Sequence, residues 1–186
     1  MLHSLLITLE YPPQKGGVAN YYVGIAQHWP YGQLEVLHVK FGRMWPRWLS
    51  IFRATYHRIT VAPSISLLHV GQVLPLGYVA ILLKWFKGIP YLVYTHGMDV
   101  LLPQKHWHKK LLLKLILKQA KVVVANSEFT KGEVVKLGIV PHKIVVVYPC
   151  PLLENPKSQI PNPKQIPNPK SQIILTVSRL VTRKGI

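Results

Sequence analysis

Six short apolar runs recur along this chain, and each stretch between them is long enough to hold a helix. The runs are Ser4–Leu9, Leu34–Lys40, Ser66–Val70, one that opens at Tyr91, Lys121–Ala125 and Ile144–Val147. Strands alternating with helices in this way predict a parallel sheet, because parallel neighbours need a crossover and crossovers in one sheet are right-handed. The expected fold class is therefore α/β, a Rossmann-like parallel sheet with helices on both faces. Gly16-Gly17 opens the first expected helix, which runs to about Gln27 with Tyr21, Tyr22, Ile25 and Ala26 on its apolar face. Met44–Ile59 is the second, with Trp45, Trp48, Phe52 and Tyr56 near helical spacing and read as core. Pro75–Phe86 and Lys105–Lys118 follow. The last expected helix starts at Asn126-Ser127, uses Thr130-x-x-Glu133 as a capping box and stops at Gly138.

At 186 residues and 49% hydrophobic, the chain can bury the core of one domain and little more. Twenty-three Lys+Arg against six Asp+Glu give a formal charge of +17, which attracts phosphates, anionic lipid or nucleic acid without identifying a reaction. Lys105–Lys118 is the most asymmetric segment: Lys110, Lys114 and Lys118 recur every fourth residue, with Leu111, Leu112, Leu115 and Ile116 between them. Such a helix either packs its leucines on a sheet with lysines in water, or lies on an anionic membrane with Trp107 at the interface. Arg43, Arg47, Arg53 and Arg58 around the aromatics of Met44–Ile59 leave a second basic surface open.

The single cysteine, Cys150, excludes an internal disulfide and a cysteine-based zinc cluster, and a reducing, cytoplasmic setting fits. The first residues lack a basic n-region and a small-residue cleavage site, so they read as a strand rather than a signal peptide. Val73–Leu83 is broken by Pro75 and Gly77 and is well short of the roughly 20 apolar residues a membrane span needs. Association with the inner membrane face would be peripheral.

The chemistry-bearing residues cluster where apolar runs end. The run from Tyr91 stops at Thr95-His96-Gly97-Met98-Asp99, the kind of loop in which open α/β sheets hold ligands. His96 brings an imidazole, Gly97 a close backbone approach, and Asp99 one of the six carboxylates. The same residues also suit a plain turn with a helix-capping Asp. Gly16 and Gly17 begin a helix, leaving N–H groups for a phosphate or sugar hydroxyl, or forming only a flexible turn. Ser127 is explained fully by a helix cap. No G-x-G-x-x-G follows the first run, which argues against a nicotinamide cofactor. No cofactor or metal is expected.

Beyond Pro151 the composition changes. Asn155-Pro-Lys-Ser-Gln-Ile160 recurs as Asn168-Pro-Lys-Ser-Gln-Ile173, and the prolines favour an extended, exposed linker. The expected division is a domain at 1–153, a repeat linker at 154–172 and a further strand beginning at 173, which runs into Ser178-Arg179-Leu180-Val181-Thr182-Arg183-Lys184-Gly185.

Taken in order, the Gly16-Gly17, His96-Gly97-x-Asp99, Asn126-Ser127 and Ser178–Gly185 segments resemble the GT-B glycosyltransferases of family 4, glycosyl transferases group 1. The resemblance covers the N-terminal half of a GT-B fold and the start of its C-terminal half. It implies retaining transfer from a nucleotide-sugar donor to a sugar or lipid-linked acceptor. Its matching loops imply that His96 positions sugar or acceptor, that Asp99 is a hydrogen-bond acceptor or base, and that Gly16, Gly17 and Ser127 lie at the cleft. Arg179 and Lys184 match the positions that contact the donor diphosphate, as cations in place of a metal. Ser178 stands where the family usually has Gly.

A member of that family continues through a second Rossmann-like domain with glutamates at E-x7-E spacing, a pair this sequence lacks. The expectation is an incomplete fragment, inactive alone, that needs the missing domain in cis or as a separate chain. The alternative is a non-catalytic basic module binding an anionic membrane or nucleic acid through Lys105–Lys118 or the arginines; nucleic acid is not an expected partner of the enzyme.

Overall fold

The computed structural model describes residues 2–41, 46 and 48–150. The linker at 154–172, the strand at 173, Arg179, Lys184, Arg43, Trp45 and Arg47 lie outside the described residues. Within them the chain runs β1 (Leu2–Thr8), α1 (Gly17–Gln27), β2 (Gly32–His38), α2 (Leu49–Val61), β3 (Ile65–Val70) and α3 (Leu76–Lys87). It continues as β4 (Tyr91–Thr95), α4 (Met98–Leu101), α5 (Trp107–Gln119), β5 (Val122–Ala125), α6 (Glu128–Lys136) and β6 (Ile144–Val146). The strands form one six-stranded sheet in the order β2-β1-β3-β4-β5-β6, and every pair is parallel.

Both faces are covered, and the strands show why. Alternate strand residues point to opposite sides, so Leu5, Ile7, Val93, Val123 and Ala125 join Ile51, Ile59, Val79, Leu83, Leu113, Ile116, Leu117 and Val134 of α2, α3, α5 and α6. Leu6, Tyr94 and Val124 face the other way and pack with Tyr21 and Tyr22 of α1. The chain leaves β1 towards β2 in one direction and builds β3 to β6 in the other. That reversal puts the switch point between the carboxyl ends of β1 and β3, the position at which open α/β sheets carry their ligand crevice.

Several local expectations change. The second helix begins at Leu49, and its buried stripe is Ile51, Thr55 and Ile59 rather than the aromatic row. Phe52 only borders the core, and Tyr56 is exposed, stacked on Phe52 and covered by Lys87 Nζ at 4.9 Å. Arg58 is held by both oxygens of Glu35 on β2. The last helix is capped by Ser127, whose Oγ accepts from the Thr130 N–H at 3.2 Å, so Thr130 and Glu133 are not its capping box. Glu133 pairs with Lys136 instead. In α5 the buried residues are Leu113, Ile116 and Leu117, while Leu111, Leu112 and Leu115 face outward.

Helices α3 and α5 touch at Gly77, where an added Cβ would lie 2.7 Å from both Cδ1 and Cγ2 of Ile116. Ile116 is fully buried in the core cluster. Gly77→Val is therefore expected to overpack this contact and cost about 1–3 kcal/mol, read as a lower urea midpoint. An unchanged midpoint would show that the helices can separate freely.

Candidate functional site

The site is built from the loops at the carboxyl ends of β1, β3, β4 and β5. Thr95 ends β4 fully buried, with Oγ1 donating to Val124 O at 3.1 Å. The next two residues turn sharply: Gly97 has φ 84°, a conformation that side chains with a Cβ rarely adopt. Asp99 closes the turn by accepting the His96 N–H on Oδ1 at 2.8 Å. Gly97 also abuts the start of α6, where a Cβ would lie 3.5 Å from Thr130 Oγ1. Asn126, Ser127 and Thr130 are bound to one another there, with Thr130 Oγ1 donating to Asn126 Oδ1 at 2.7 Å. Ser127 thus stands beside the His96 loop, and its hydroxyl is committed to the cap.

Held this way, the His96 ring meets α1. Tyr22 Oη lies 2.6 Å from His96 Nε2 and also donates to the carbonyl of Gly71, just past β3. The phenol has one proton, and when it goes to the Gly71 carbonyl the contact with Nε2 is a donation from the ring. That arrangement puts the imidazole proton on Nε2 and the lone pair on Nδ1, and the Gly71 backbone also bonds to the ring. Tyr21 and Tyr22 contact the ring edge-on at centroid distances of 5.4 and 5.5 Å. Burial pushes the His96 pKa down to about 4, so the ring is neutral at neutral pH. Burial likewise holds the Tyr22 phenol well above its ordinary value, with the nearby Asp99 carboxylate adding to it.

Asp99 differs from an ordinary surface carboxylate. Burial raises its pKa to about 6 against the backbone N–H groups that favour its ionised form, and Oδ2 is buried without a partner. Gly16 and Gly17 open α1 at the same edge of the sheet. No side chain caps this helix, and a Cβ at Gly17 would meet nothing within 4 Å. Its first turn has N–H groups without intrahelical partners at the positive end of the helix, and a Cβ at Gly16 would lie 3.9 Å from Glu10 Oε2. Among the described residues no three His, Cys, Asp or Glu side chains are grouped to hold a metal ion.

The sequence points to His96, Asp99 and the glycine pair as candidates; Tyr22 and Gly71, which the structure brings against the His96 ring, carry no such signal. Tyr22 was readable only as one apolar residue of α1. Gly71 was visible as a glycine directly after an apolar run, a position where close backbone approach is common. The chain comes so near β1 that a Cβ there would sit 2.9 Å from Thr8 Cβ and 3.0 Å from Ile7 O. Gln72 strengthens the join by accepting from Leu9 N at 3.1 Å.

The buried titrating groups give stability a defined pH dependence. His69, on β3 beneath α1, is held by burial at about 4, as is His96, both below the ordinary 6.5. The unfolded chain protonates these rings below about 6.5 and the folded chain resists, so their contribution is lost as pH falls towards 4. Asp99 acts with the opposite sign: its folded pKa of about 6 exceeds the ordinary 3.8, so its contribution is present at low pH and lost as pH rises through 6. Two groups against one leave a net loss on the order of 1.4 kcal/mol per pH unit on acidification from about 6 to about 4. Urea midpoints across that range measure it, and a flat or rising midpoint would contradict it.

Residues 5–150 match Glycosyltransferase Family 4. Among solved structures the chain is similar to Anabaena Alr3699/HepE in complex with UDP-glucose, at 15% identity, TM-score 0.57, covering 79% of this chain and 44% of that one. It is similar to the same protein with UDP, at 16% identity, TM-score 0.55, with 78% and 44% covered. With UDP and glucose the values are 15% identity, TM-score 0.52, and 80% and 45% covered. The chain spans less than half the length of these structures, and the likeness is one of fold. No curated protein sequence matches.

Proposed function

Because this chain belongs to Glycosyltransferase Family 4, we propose that it supplies the acceptor side of an enzyme that moves a sugar from a nucleoside diphosphate to an acceptor, with retention at the anomeric carbon. The observation that carries this reading is His96: a buried, neutral imidazole at the carboxyl edge of the sheet, its Nε2 2.6 Å from Tyr22 Oη, and the reading places its proton on Nε2. Its Nδ1 then accepts a hydrogen bond from a hydroxyl of the transferred sugar or the acceptor. A neutral acceptor held in one tautomer orients a hydroxyl without adding charge where an oxocarbenium-like centre develops.

Asp99 fixes the His96 loop through Oδ1, and its unpartnered Oδ2 is the acceptor or base on offer. The N–H groups after Gly16 and Gly17 meet a phosphate or sugar hydroxyl, and Ser127 holds the neighbouring wall. Arg179 and Lys184 neutralise the leaving diphosphate. Binding of UDP and UDP-glucose by the similarly folded Anabaena protein supports a nucleotide-sugar donor. The greater length of that protein supports a donor-binding domain as a further requirement for turnover.

Product stereochemistry tests the proposal. The complete protein, as its source translates it, is incubated with α-linked nucleoside-diphosphate sugars and simple glycoside or lipid-linked acceptors, and products are read by proton NMR. An α-linked product is expected. A β-linked product would end the retaining reading, and failure to consume any nucleotide sugar would end the glycosyltransferase reading.

A further inference from the structure

The outer face of α5 carries an apolar ridge that no described residue covers. Trp107 is 80% exposed, Leu111 64% and Leu115 38%, and their i, i+4, i+8 spacing sets them in one line along the helix. The buried side of the same helix is already supplied by Leu113, Ile116 and Leu117, so the outward leucines contribute nothing to the core. Lys110, Lys114 and Lys118 form the next row, three residues on from each ridge residue. No Asp or Glu occurs between Val100 and Ser127, so nothing on this helix offsets that charge.

The basic surface continues at the carboxyl end of α5. Lys84, Lys118, Lys121 and Lys143 line a cavity of about 390 Å³ there. Lys84 Nζ donates to Gln119 O and Oε1 at 2.7 and 2.8 Å, and Lys143 Nζ donates to Lys118 O. These bonds keep the cations at the helix end. Directly after Lys84, Trp85 and Phe86 are 61% and 71% exposed.

We propose that this surface docks on an anionic phospholipid bilayer, with α5 lying in the interface, its ridge in the acyl boundary and its lysines on lipid phosphates. The two chemistries together favour it: the surface's aromatic rings can stack on bases, but the ridge's leucines find no partner on a polynucleotide, and lysines find none in a neutral membrane. A second copy would set Lys110, Lys114 and Lys118 against the same row. The repeat that follows the domain brings Lys157, Lys164 and Lys170 with no carboxylate after Glu154, so it also repels. The proposal is independent of the glycosyl-transfer reading.

Vesicle flotation of the chain tests it, using phosphatidylcholine vesicles with and without phosphatidylglycerol. Flotation is expected only with the anionic lipid, and it should weaken as salt screens the lysines. Lys110→Gln, Lys114→Gln and Lys118→Gln should each weaken partitioning about fivefold. Leu111→Gln with Leu115→Gln should weaken it about tenfold or more. Lys110, Lys118 and Leu111 are exposed, while Lys114 and Leu115 are partly covered, so thermal melting of each variant is compared with the parent, and Trp107→Gln, at the most exposed position, provides an independent probe of the ridge. Absence of flotation, or equal flotation on neutral vesicles, would overturn the proposal. Loss with the lysine variants but not the leucine variants would instead indicate a surface for a soluble polyanion. A dimer in sedimentation velocity that Leu111→Gln/Leu115→Gln converts to monomer, without flotation, would assign the ridge to self-association.

Discussion

On the proposed function, His96→Ala is expected to lower the sugar-transfer kcat of the complete protein by about 10²-fold, the scale for losing a group that positions a reacting hydroxyl, with little change in the unfolding midpoint. The ring lies on the loop past β4, packed on Tyr21 and Tyr22 rather than among the sheet's core side chains, so its removal leaves the sheet intact. Tyr22 Oη and the Gly71 carbonyl remain bonded to each other in the variant. His96→Gln should recover part of the rate, since its amide oxygen can accept from a sugar hydroxyl. Tyr22→Phe separates orientation from contact. His96 Nε2–H loses its acceptor, the tautomer is no longer fixed, and the acid limb of the pH–rate profile should move. Equal rates for His96→Ala and the parent would remove the imidazole from the chemistry.

Gly71→Ala is expected to be the most damaging single-methyl change in the crevice. Its Cβ would meet Thr8 Cβ at 2.9 Å, Ile7 O at 3.0 Å and Thr8 Oγ1 at 3.0 Å, and two of those atoms belong to or sit directly on the β1 backbone. Relief requires β1 and β3 to part, which stretches the 2.9 Å bond from Gly71 N to Ile7 O. A cost of about 1–3 kcal/mol follows, measured as a fall in the urea midpoint. Because Gly71 O holds Tyr22, activity should fall as well, even at temperatures where the variant is folded. Gly17→Ala is the control: a Cβ there meets nothing within 4 Å, so stability should hardly change. A normal midpoint and normal turnover for Gly71→Ala would show that the close approach has no consequence.

The sheet was legible because its signal is local. Each apolar run stops at a Gly, Pro or polar cluster, and a parallel order follows from alternation with helices. The His96 loop was legible for the same reason, as an abrupt polar end to the run from Tyr91. Tyr22 was hidden because its role comes from a crossing 74 residues away in sequence, which no periodicity records. The aromatic row of the second helix misled because spacing fixes a face but not whether that face turns inward, and Ile51, Thr55 and Ile59 took the core side. In α5 the leucines set between the lysines, Leu111, Leu112 and Leu115, are the ones spacing offers to the sheet, but both faces carry leucines and Leu113, Ile116 and Leu117 took the core side. Thr130 and Glu133 had capping-box spacing, yet Ser127, three residues upstream of Thr130, supplies the cap.

The most direct test of the central claim is the nitrogen-15 NMR spectrum of His96 in the complete protein, recorded at neutral pH with and without a nucleoside-diphosphate sugar and acceptor. The expected spectrum is that of a neutral ring protonated at Nε2, with an Nδ1 resonance that shifts as a sugar hydroxyl donates to it. An imidazolium, a proton on Nδ1, or an Nδ1 resonance indifferent to every sugar bound by the protein would contradict it.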